Sequence, residues 1–448
     1  MARTSLEAGA EREETALAGE RVAPLNRTPL RHLPGDAWNA LRQWAAQPWV
    51  RETTALFVAS RVAFILVTYV GFVLIQAPKY STTSGGVTQM LTSWNQWDGL
   101  RYTSIAAHGY TAPEFTAFFP LYPLLTALIS APFGSQTIYT VALLVSNAAF
   151  LGALLVLRPL VAARWGDAVA ARTALYLTIF PTALYTFAPY NESLFLLWTL
   201  GCFLALEHRR WALAAALAAL AALTRAAGIL LLIPFAIAWW QMVWERHAGA
   251  EVSHPSAQSL LAASGRALTA LPWRMWARAA WALLIPAALG LYSLYCALTF
   301  GDWLAWVHAQ AHWNRISAWP WESLRLQLVG LAQAVPASFY QVHDLLDLGA
   351  TVLFLALLVV GWRRLPRAQS LYVAALLLLT LTSPGGVHLH TNDPLTSNQR
   401  FVLEMFPGFI TLALVTERHP LWRQSIVIVS TMLLATLTLI FILGRWLV

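Results

Sequence analysis

The 448-residue sequence is 58% hydrophobic and only 11% charged, and its mean hydropathy is +0.57. Soluble domains carry about a quarter charged residues, so this composition excludes an ordinary soluble domain. Apolar stretches recur as far as the C-terminus, and backbone amides in lipid need hydrogen-bond partners within their own segment. The chain is therefore predicted to be an all-α polytopic membrane protein.

The net charge of +8 does not indicate a nucleic-acid-binding protein. Lys79 is the only lysine, and the arginines lie mostly in short loops between apolar stretches. The positive-inside rule predicts that distribution for a membrane protein. Cys202 and Cys296 lie inside apolar stretches, so both are predicted to be small core residues without a disulfide framework.

The N-terminal region differs in composition from the rest of the chain. Residues 1–34 are polar, mixed in charge and poor in aromatics, which predicts a partly disordered cytoplasmic tail. The segment AWNALRQWAAQPW (37–49) predicts a short interfacial helix. The first apolar stretch begins near Ala55 and is expected to act as a signal anchor without a cleavable signal peptide. Two regions follow: a tail over 1–50 and a transmembrane domain over 51–448.

Apolar stretches predict about eleven membrane crossings, several of them short for a hydrocarbon core of about 30 Å. The predicted spans are residues 55–76, 137–157, 169–188, 192–207, 211–224, 226–243, 281–300, 345–362, 370–384, 400–416 and 423–444.

The distribution of arginine predicts the orientation. Arginine-rich connections, including the loop 245–280, are expected in the cytoplasm together with the N-terminus. The other connections are rich in Trp, Tyr, His, Asn and Asp and are expected on the far side: 77–136, the turn around APYNES, 301–344 and 385–399. Within the first of these, residues 118–133 (FFPLYPLLTALISAPF) are predicted to be interfacial or re-entrant. A full crossing there would invert every later loop, and the prolines interrupt a helix.

Asp98, in the stretch WNQWDGLRYTSIAAHGY, is the best chemical group of the first outer loop. A carboxylate placed among Trp94, Trp97 and Tyr102 would be partly desolvated, which suits a general base. The tryptophans could stack on sugar faces or anchor the loop at the headgroup level. The alternative is a solvated loop aspartate flanked by interface aromatics, and these residues alone leave both interpretations open.

Four segments, in order, resemble motifs of the PIG-V (GPI mannosyltransferase 2) family and together extend over roughly residues 55–416. Asn191 stands where serine is commoner in the family. The segments are WNQWDGLRYTSIAAHGY followed by FFPLYPLL, then IFPTALYTFAPYNESLF, ALTRAAGILLLIPF and NQRFVLEMFPGF.

This resemblance implies a GT-C type membrane glycosyltransferase with a large first outer loop that contains interfacial helices. Such an enzyme moves a hexose, here expected to be mannose, from a polyprenyl-phosphate donor to an acceptor on the non-cytoplasmic face. The near absence of lysine and the composition rich in Ala, Leu and Arg favour a prokaryotic homologue in the cell membrane. The acceptor is then expected to be a lipid-linked or cell-surface glycan, with a small partner subunit as an open question.

The resemblance also implies roles for particular residues. The family's first-loop acid corresponds to Asp98, which would take the proton of the acceptor hydroxyl. The leaving phosphate needs a cation, for which a guanidinium is suited, with Arg400 as the first candidate and Arg225 as the second. Arg101 could instead pair with Asp98. The remaining residues predicted to bind substrate are Trp94, Trp97, Arg101, Tyr102, His108, Tyr122 and Glu192.

Each role has a simpler alternative. Arg400 could extend to lipid headgroups, and Arg225 could cap the preceding helix. Glu192 could favour its own helix N-terminus or hold an arginine. His308 and His312, and separately His388, His390 and Asp393, have the residue types of metal ligands. The resemblance implies no metal or other cofactor.

A transporter or flippase of lipid-linked sugars is the competing function. It would show inverted repeats and ionisable groups at the bilayer midplane. No internal repeat is visible, and most predicted spans are runs of Ala and Leu without charge.

Overall fold

The computed structural model describes residues 34–76, 86–248, 271–385 and 394–445. These residues form helices, turns and loops, and none of them lies in a strand. The chain divides into two units, Met1–Pro48 and Trp49–Val448. Within the first unit, the helix Pro34–Ala45 occupies most of the segment predicted to form a short helix. Its contact with a membrane surface stays a prediction.

In the second unit, six helices are long and apolar enough to cross a membrane. Their outward faces carry exposed aliphatic side chains such as Leu66, Leu74 and Met432, as expected for helices in contact with lipid. The class of membrane protein is thereby confirmed. The six are Pro48–Ile75, Ser135–Trp165, Ala226–Glu245, Trp273–Phe300, Phe339–Gly361 and Pro420–Ile442.

Five further predicted spans also contain helices, but these have 10 to 16 residues. A hydrocarbon core of about 30 Å needs roughly 20 residues, so the predicted count of eleven crossings is not confirmed. Their bounds are Asp167–Ile179, Glu192–Glu207, Trp211–Thr224, Arg367–Leu381 and Phe406–Val415.

The short helices pack in the centre of the unit. On Trp211–Thr224, Ala214, Ala218 and Ala222 are completely buried, since small side chains allow neighbouring backbones to approach closely. A Cβ added to Gly228 would overlap the backbone of Ala222, which explains the glycine directly after this helix.

The connection between the first two long helices is itself helical. After the π-helical turn Phe72–Gln76 come Gly86–Thr92, Asp98–His108, a 3-10 turn at Pro113–Ala117, and Leu121–Ser130. The last has ten residues and extends about 15 Å, too short to cross. The interfacial or re-entrant position of residues 118–133 stays a prediction.

This first loop packs against the chain around residue 300. The Tyr292 hydroxyl donates to the Thr116 carbonyl at 2.7 Å, and the Phe119 and Trp306 rings meet edge to face at 5.6 Å. Two loops predicted on the same side of the membrane are thus in contact. Within three of the six long helices, the α-helical parts are Ile138–Trp165, Leu232–Ala248, Trp273–Ala280 and Leu284–Phe300. Further described α-helices are Ala305–His308, Pro320–Gln333 and Asn398–Phe401.

Candidate active site

Asp98 is the first residue of the helix Asp98–His108. Trp97, just before it, has a φ of 52°, a conformation that costs a non-glycine residue about 1–3 kcal/mol and is often found at functional sites. A Cβ on Gly99 would lie 3.0 Å from Pro189 Cγ, so glycine lets the helix approach the turn at Pro189 and Tyr190. The Tyr190 hydroxyl donates to the Gln96 carbonyl at 3.0 Å. These contacts hold Asp98 beside the start of the helix Glu192–Glu207.

Asp98 forms an ion pair with Arg400, 302 residues away in the sequence. Arg400 Nη1 lies 2.7 Å from Asp98 Oδ2, and the two side chains are 10% and 25% exposed. The Arg400 guanidinium also stacks over the rings of Tyr185 and Tyr190, 5.4 Å from each centroid. The first and the last of the four matched segments therefore meet at this pair.

The pair belongs to a larger network of charged side chains, which we call the ion-pair network: Asp98, Arg400, Glu192, Arg225 and Glu404. Glu192 Oε1 lies 3.0 Å from both Arg400 Nε and Arg225 Nη1. Arg225 Nε in turn lies 2.9 Å from Glu404 Oε1. Glu192 and Glu404 are buried, and Asp98 is the most exposed member.

Neighbouring polar groups complete this arrangement around Arg225. Asn191 Oδ1 accepts a hydrogen bond from Arg225 Nη1 at 3.2 Å, while Asn191 Nδ2 donates to the Thr224 carbonyl at 2.8 Å. Glu192 Oε2 has no hydrogen-bond partner among the described residues. One carboxylate oxygen inside the network is thus available to a further donor.

A separate set of buried contacts positions Arg400. It lies on the short helix Asn398–Phe401 after Ser397, whose φ is 71°. The backbone N–H of Gln399 donates to Asp347 Oδ1 at 2.7 Å, and Thr182 Oγ1 donates to the Gln399 carbonyl at 2.6 Å. Both backbone polar groups of Gln399, the residue before Arg400, are therefore fixed by side chains from distant segments.

Such a network is poorly explained by stability alone. Removing charges from water costs several kcal/mol per ion, and apolar side chains of similar size often replace a buried ion pair without loss of stability. Charged groups inside a membrane protein most often mark a functional site. The partial exposure of Asp98 gives the network an opening through which a substrate can reach it.

The structure brings together Asp98, Arg400, Arg225 and Glu192, four of the residues predicted from the sequence. Of the alternatives considered for Glu192, holding an arginine is what the structure has, and this residue also begins its helix. Arg225 is the residue that follows Trp211–Thr224 and pairs with two carboxylates from that position.

The aromatic residues of the first loop take different positions. Tyr102 is buried and meets the rings of Phe118 and Tyr122 edge to face at 5.2 and 5.1 Å. Burial raises the pKa of Tyr102, so its phenol stays neutral beside the network. The Tyr122 hydroxyl is buried and donates to the Ala142 carbonyl at 2.8 Å, which makes Tyr122 a packing residue. Trp97 is 39% exposed and remains open to a ligand.

Trp94 requires a correction. It was predicted to stack on a sugar or to bind substrate, but it is only 1% exposed and packs among Phe64, Phe187 and Phe441. Its indole N–H donates to Thr68 Oγ1 at 3.0 Å. A ring enclosed in this way has no face left for a ligand, so Trp94 anchors the loop to the core.

Arg101 and His108 also lie apart from the described ion pairs. The Arg101 guanidinium stacks over the Phe115 ring at 5.2 Å, while Asp98 pairs with Arg400. His108 is exposed at the end of its helix, with Nδ1 3.2 Å from the Ser104 carbonyl. Their contact with substrate stays a prediction.

Sequence analysis did not select Glu404, Asn191, Phe401 or Asp347. Glu404 and Asp347 carry a signal that was overlooked, since each is a carboxylate within a predicted span. Asn191 and Phe401 carry no such signal. Each contacts Arg225, which is distant from both in the sequence.

The predicted metal-ligand types do not form a metal site within the described chain. His308 Nδ1 lies 2.7 Å from Asp302 Oδ2, a hydrogen bond that lowers the pKa of Asp302. Among the described residues no group of three or more His, Cys, Asp or Glu is placed to hold a metal. His388, His390 and Asp393 lie outside the described residues.

Comparison with known proteins supports the resemblance. The family model described as mannosyltransferase (PIG-V) matches residues 73–246. That segment is similar to the mannosyltransferase (PIG-V) family. It includes Asp98, Glu192 and Arg225, three members of the ion-pair network. The match supports the predicted class of membrane glycosyltransferase.

Solved structures similar to this chain include oligosaccharyltransferases of Archaeoglobus fulgidus. Archaeal oligosaccharyltransferase AglB, in complex with an inhibitory peptide and a dolichol-phosphate, has 13% identity and a TM-score of 0.41, with coverage of 88% of this chain and 56% of that one. The apo form has 14% identity, a TM-score of 0.38 and coverage of 87% and 54%. This chain thus spans little more than half their length, and likeness at this level carries no functional argument. The search of curated proteins finds no match.

Proposed function

We propose that this protein transfers a hexose, first of all mannose, from a polyprenyl-phosphate donor to a lipid-linked or cell-surface glycan. The transfer takes place on the non-cytoplasmic face with inversion at the anomeric carbon. The observation that carries this proposal is the ion pair between Asp98 and Arg400, because it places a potential base directly beside a phosphate-binding group. The match of residues 73–246 to the mannosyltransferase (PIG-V) family model supports the reaction class.

Asp98 serves as the general base. Its Oδ2 is occupied by Arg400, and its Oδ1 has no hydrogen-bond partner among the described residues. An acceptor hydroxyl bound at Oδ1 gives its proton to the carboxylate while its oxygen attacks the anomeric carbon. The bond between that carbon and the phosphate oxygen breaks, and its electron pair stays on the polyprenyl phosphate. Attack in line with the leaving group gives inversion.

Arg400 binds the phosphate of the donor. Planar guanidinium groups suit phosphate oxygens, and a fixed positive charge stabilises the charge that develops on the leaving group. When phosphate binds, Arg400 divides its interaction between that anion and Asp98. Glu192 and Arg225 keep the Arg400 guanidinium in place during this exchange.

The test is sugar transfer by the purified full-length protein from radiolabelled polyprenyl-phosphate mannose to a membrane lipid extract. Asp98→Asn should lower the rate at least about 100-fold, the lower range for loss of a general base. Asp302→Asn is the matched control, since Asp302 is a loop aspartate that pairs with His308. This control should keep the wild-type rate.

Two results would contradict the proposal. Wild-type turnover by Asp98→Asn would exclude Asp98 as the base. Movement of labelled lipid-linked sugar across vesicles, without any glycoconjugate product from mannose or glucose donors, would favour the transporter instead.

A further inference from the structure

The Phe401 ring, next to Arg400 in the sequence, is contacted by three guanidinium groups. The Cζ atoms of Arg225, Arg400 and Arg315 lie 4.8, 5.2 and 5.8 Å from its centroid. Phe401 itself is half-buried. Arg225 and Arg400 are held there by carboxylates of the ion-pair network, whereas Arg315 comes from a different loop.

Arg315 is brought there by a defined loop geometry. Asn314, in a left-handed conformation with a φ of 48°, turns the chain, and the next residues run beside residues 382–384. The Ile316 N–H donates to the Pro384 carbonyl and the Ala318 N–H to the Thr382 carbonyl, both at 3.0 Å. Arg315 Nη1 itself donates to the Ser383 carbonyl at 3.2 Å. The position of this side chain is therefore fixed by backbone pairing.

Charge supplies the second argument. The ion-pair network contains three carboxylates and two guanidiniums, so it carries one excess negative charge when every member is ionised. A phosphate anion would be repelled by that charge. Arg315 adds a third guanidinium on the Phe401 side of the network.

We propose that Arg315 is a third guanidinium of the donor site and binds the polyprenyl phosphate together with Arg400. This inference rests on the proposed function. In the reaction the acceptor oxygen forms its bond to the anomeric carbon, the bond from that carbon to the phosphate oxygen breaks, and Asp98 receives the proton. The phosphodiester thereby becomes a phosphomonoester with a second negative charge. Arg315 therefore contributes to binding of the donor and more strongly to stabilising the leaving group.

The experiment measures binding of dolichyl phosphate to the detergent-solubilised full-length protein, with uncharged dolichol as the reference lipid. Wild-type protein should prefer dolichyl phosphate, and Arg315→Ala should weaken that binding about tenfold or more, as expected for loss of a charged hydrogen bond. Binding of dolichol should stay unchanged. In sugar transfer the same variant should raise KM for the donor and also lower kcat.

Two further variants separate binding from structure. Arg325→Ala is the matched control, because Arg325 is an exposed arginine on the following helix and pairs with Glu322. It should behave like the wild type. Arg315→Lys keeps a positive charge and should recover part of the affinity for dolichyl phosphate that Arg315→Ala loses.

The outcomes distinguish this inference from the proposed function. Wild-type affinity for dolichyl phosphate in Arg315→Ala would overturn the role of Arg315 and leave the transferase intact. An equal loss of affinity for dolichol and dolichyl phosphate, with a lower unfolding temperature, would show that Arg315 is only structural. No preference for dolichyl phosphate by the wild type would overturn both the donor class and the role of Arg315.

Discussion

Two buried arginines of this protein, Arg61 and Arg400, are held in opposite ways. Arg61, 8% exposed on the first long helix, donates to Asn147 Oδ1 and to the Thr186 carbonyl, each at 2.8 Å. Phe57 and Phe150 contact its guanidinium at 4.5 and 4.6 Å. No carboxylate among the described residues pairs with it.

Arg400 is held by two carboxylates, Asp98 and Glu192, and Asp98 is partly exposed. The donors of Arg61 are directed at neutral oxygens within a closed cage, where no substrate can compete for them. A phosphate can compete with a carboxylate for Arg400. The comparison shows that burial alone does not identify a functional arginine, whereas the type and exposure of its partners do.

The largest expected effect comes from Arg400→Ala. It should lower the rate of sugar transfer by more than about 100-fold, since the leaving phosphate loses its main cation. It should also destabilise the protein by about 3–5 kcal/mol, because the Glu192 carboxylate loses one of its two cations while buried. Transfer kinetics and thermal unfolding of the purified protein measure the two effects. Arg400→Lys should keep more of the stability than of the activity.

Arg61→Met should have the opposite profile. It removes a buried arginine without touching the ion-pair network but leaves Asn147 Oδ1 and the Thr186 carbonyl without this donor, at about 1–3 kcal/mol. We therefore expect a lower unfolding temperature and an unchanged kcat per folded molecule. A 100-fold loss of kcat in folded Arg61→Met would remove the distinction between the two arginines.

Asp347 tests how the position of Arg400 is set, because it binds the backbone N–H of Gln399, the preceding residue. Asp347→Ala removes the acceptor of the Gln399 N–H and should lower kcat/KM about tenfold, the cost of one displaced charged hydrogen bond. Asp347→Asn keeps an oxygen acceptor and should recover most of that loss. Equal activity of the two variants would show that the position of Arg400 does not depend on this contact.

The smallest effect is expected for Gly99→Ala. The added Cβ meets Pro189 Cγ at 3.0 Å and Tyr190 Cε2 at 3.3 Å, so the Asp98 helix must shift by a few tenths of an ångström. A few-fold loss of kcat with unchanged binding of dolichyl phosphate should result. A loss of binding instead would place Asp98 closer to the donor than proposed.

The sequence predicted much of the fold because long apolar stretches are direct evidence of membrane helices. The predicted count of eleven crossings is not confirmed, since composition does not reveal that Asp167–Ile179 and Phe406–Val415 are short. Asp98, Arg225, Glu192 and Arg400 were selected as single residues, but their assembly into one network depends on packing between distant segments. Arg61 lies inside a predicted span and was not among the predicted site residues. The burial of Trp94 depends on partners such as Phe441, which lies far along the chain.

The central claim is that Asp98 and Arg400 form one reactive pair, and single-turnover transfer by Asp98→Asn tests it most directly. The variant removes the carboxylate that competes for Arg400, so it should bind dolichyl phosphate at least as tightly as the wild type. It should nevertheless transfer no measurable mannose from the bound donor in a single turnover. Wild-type transfer by this variant, or loss of dolichyl phosphate binding in a folded protein, would contradict the account.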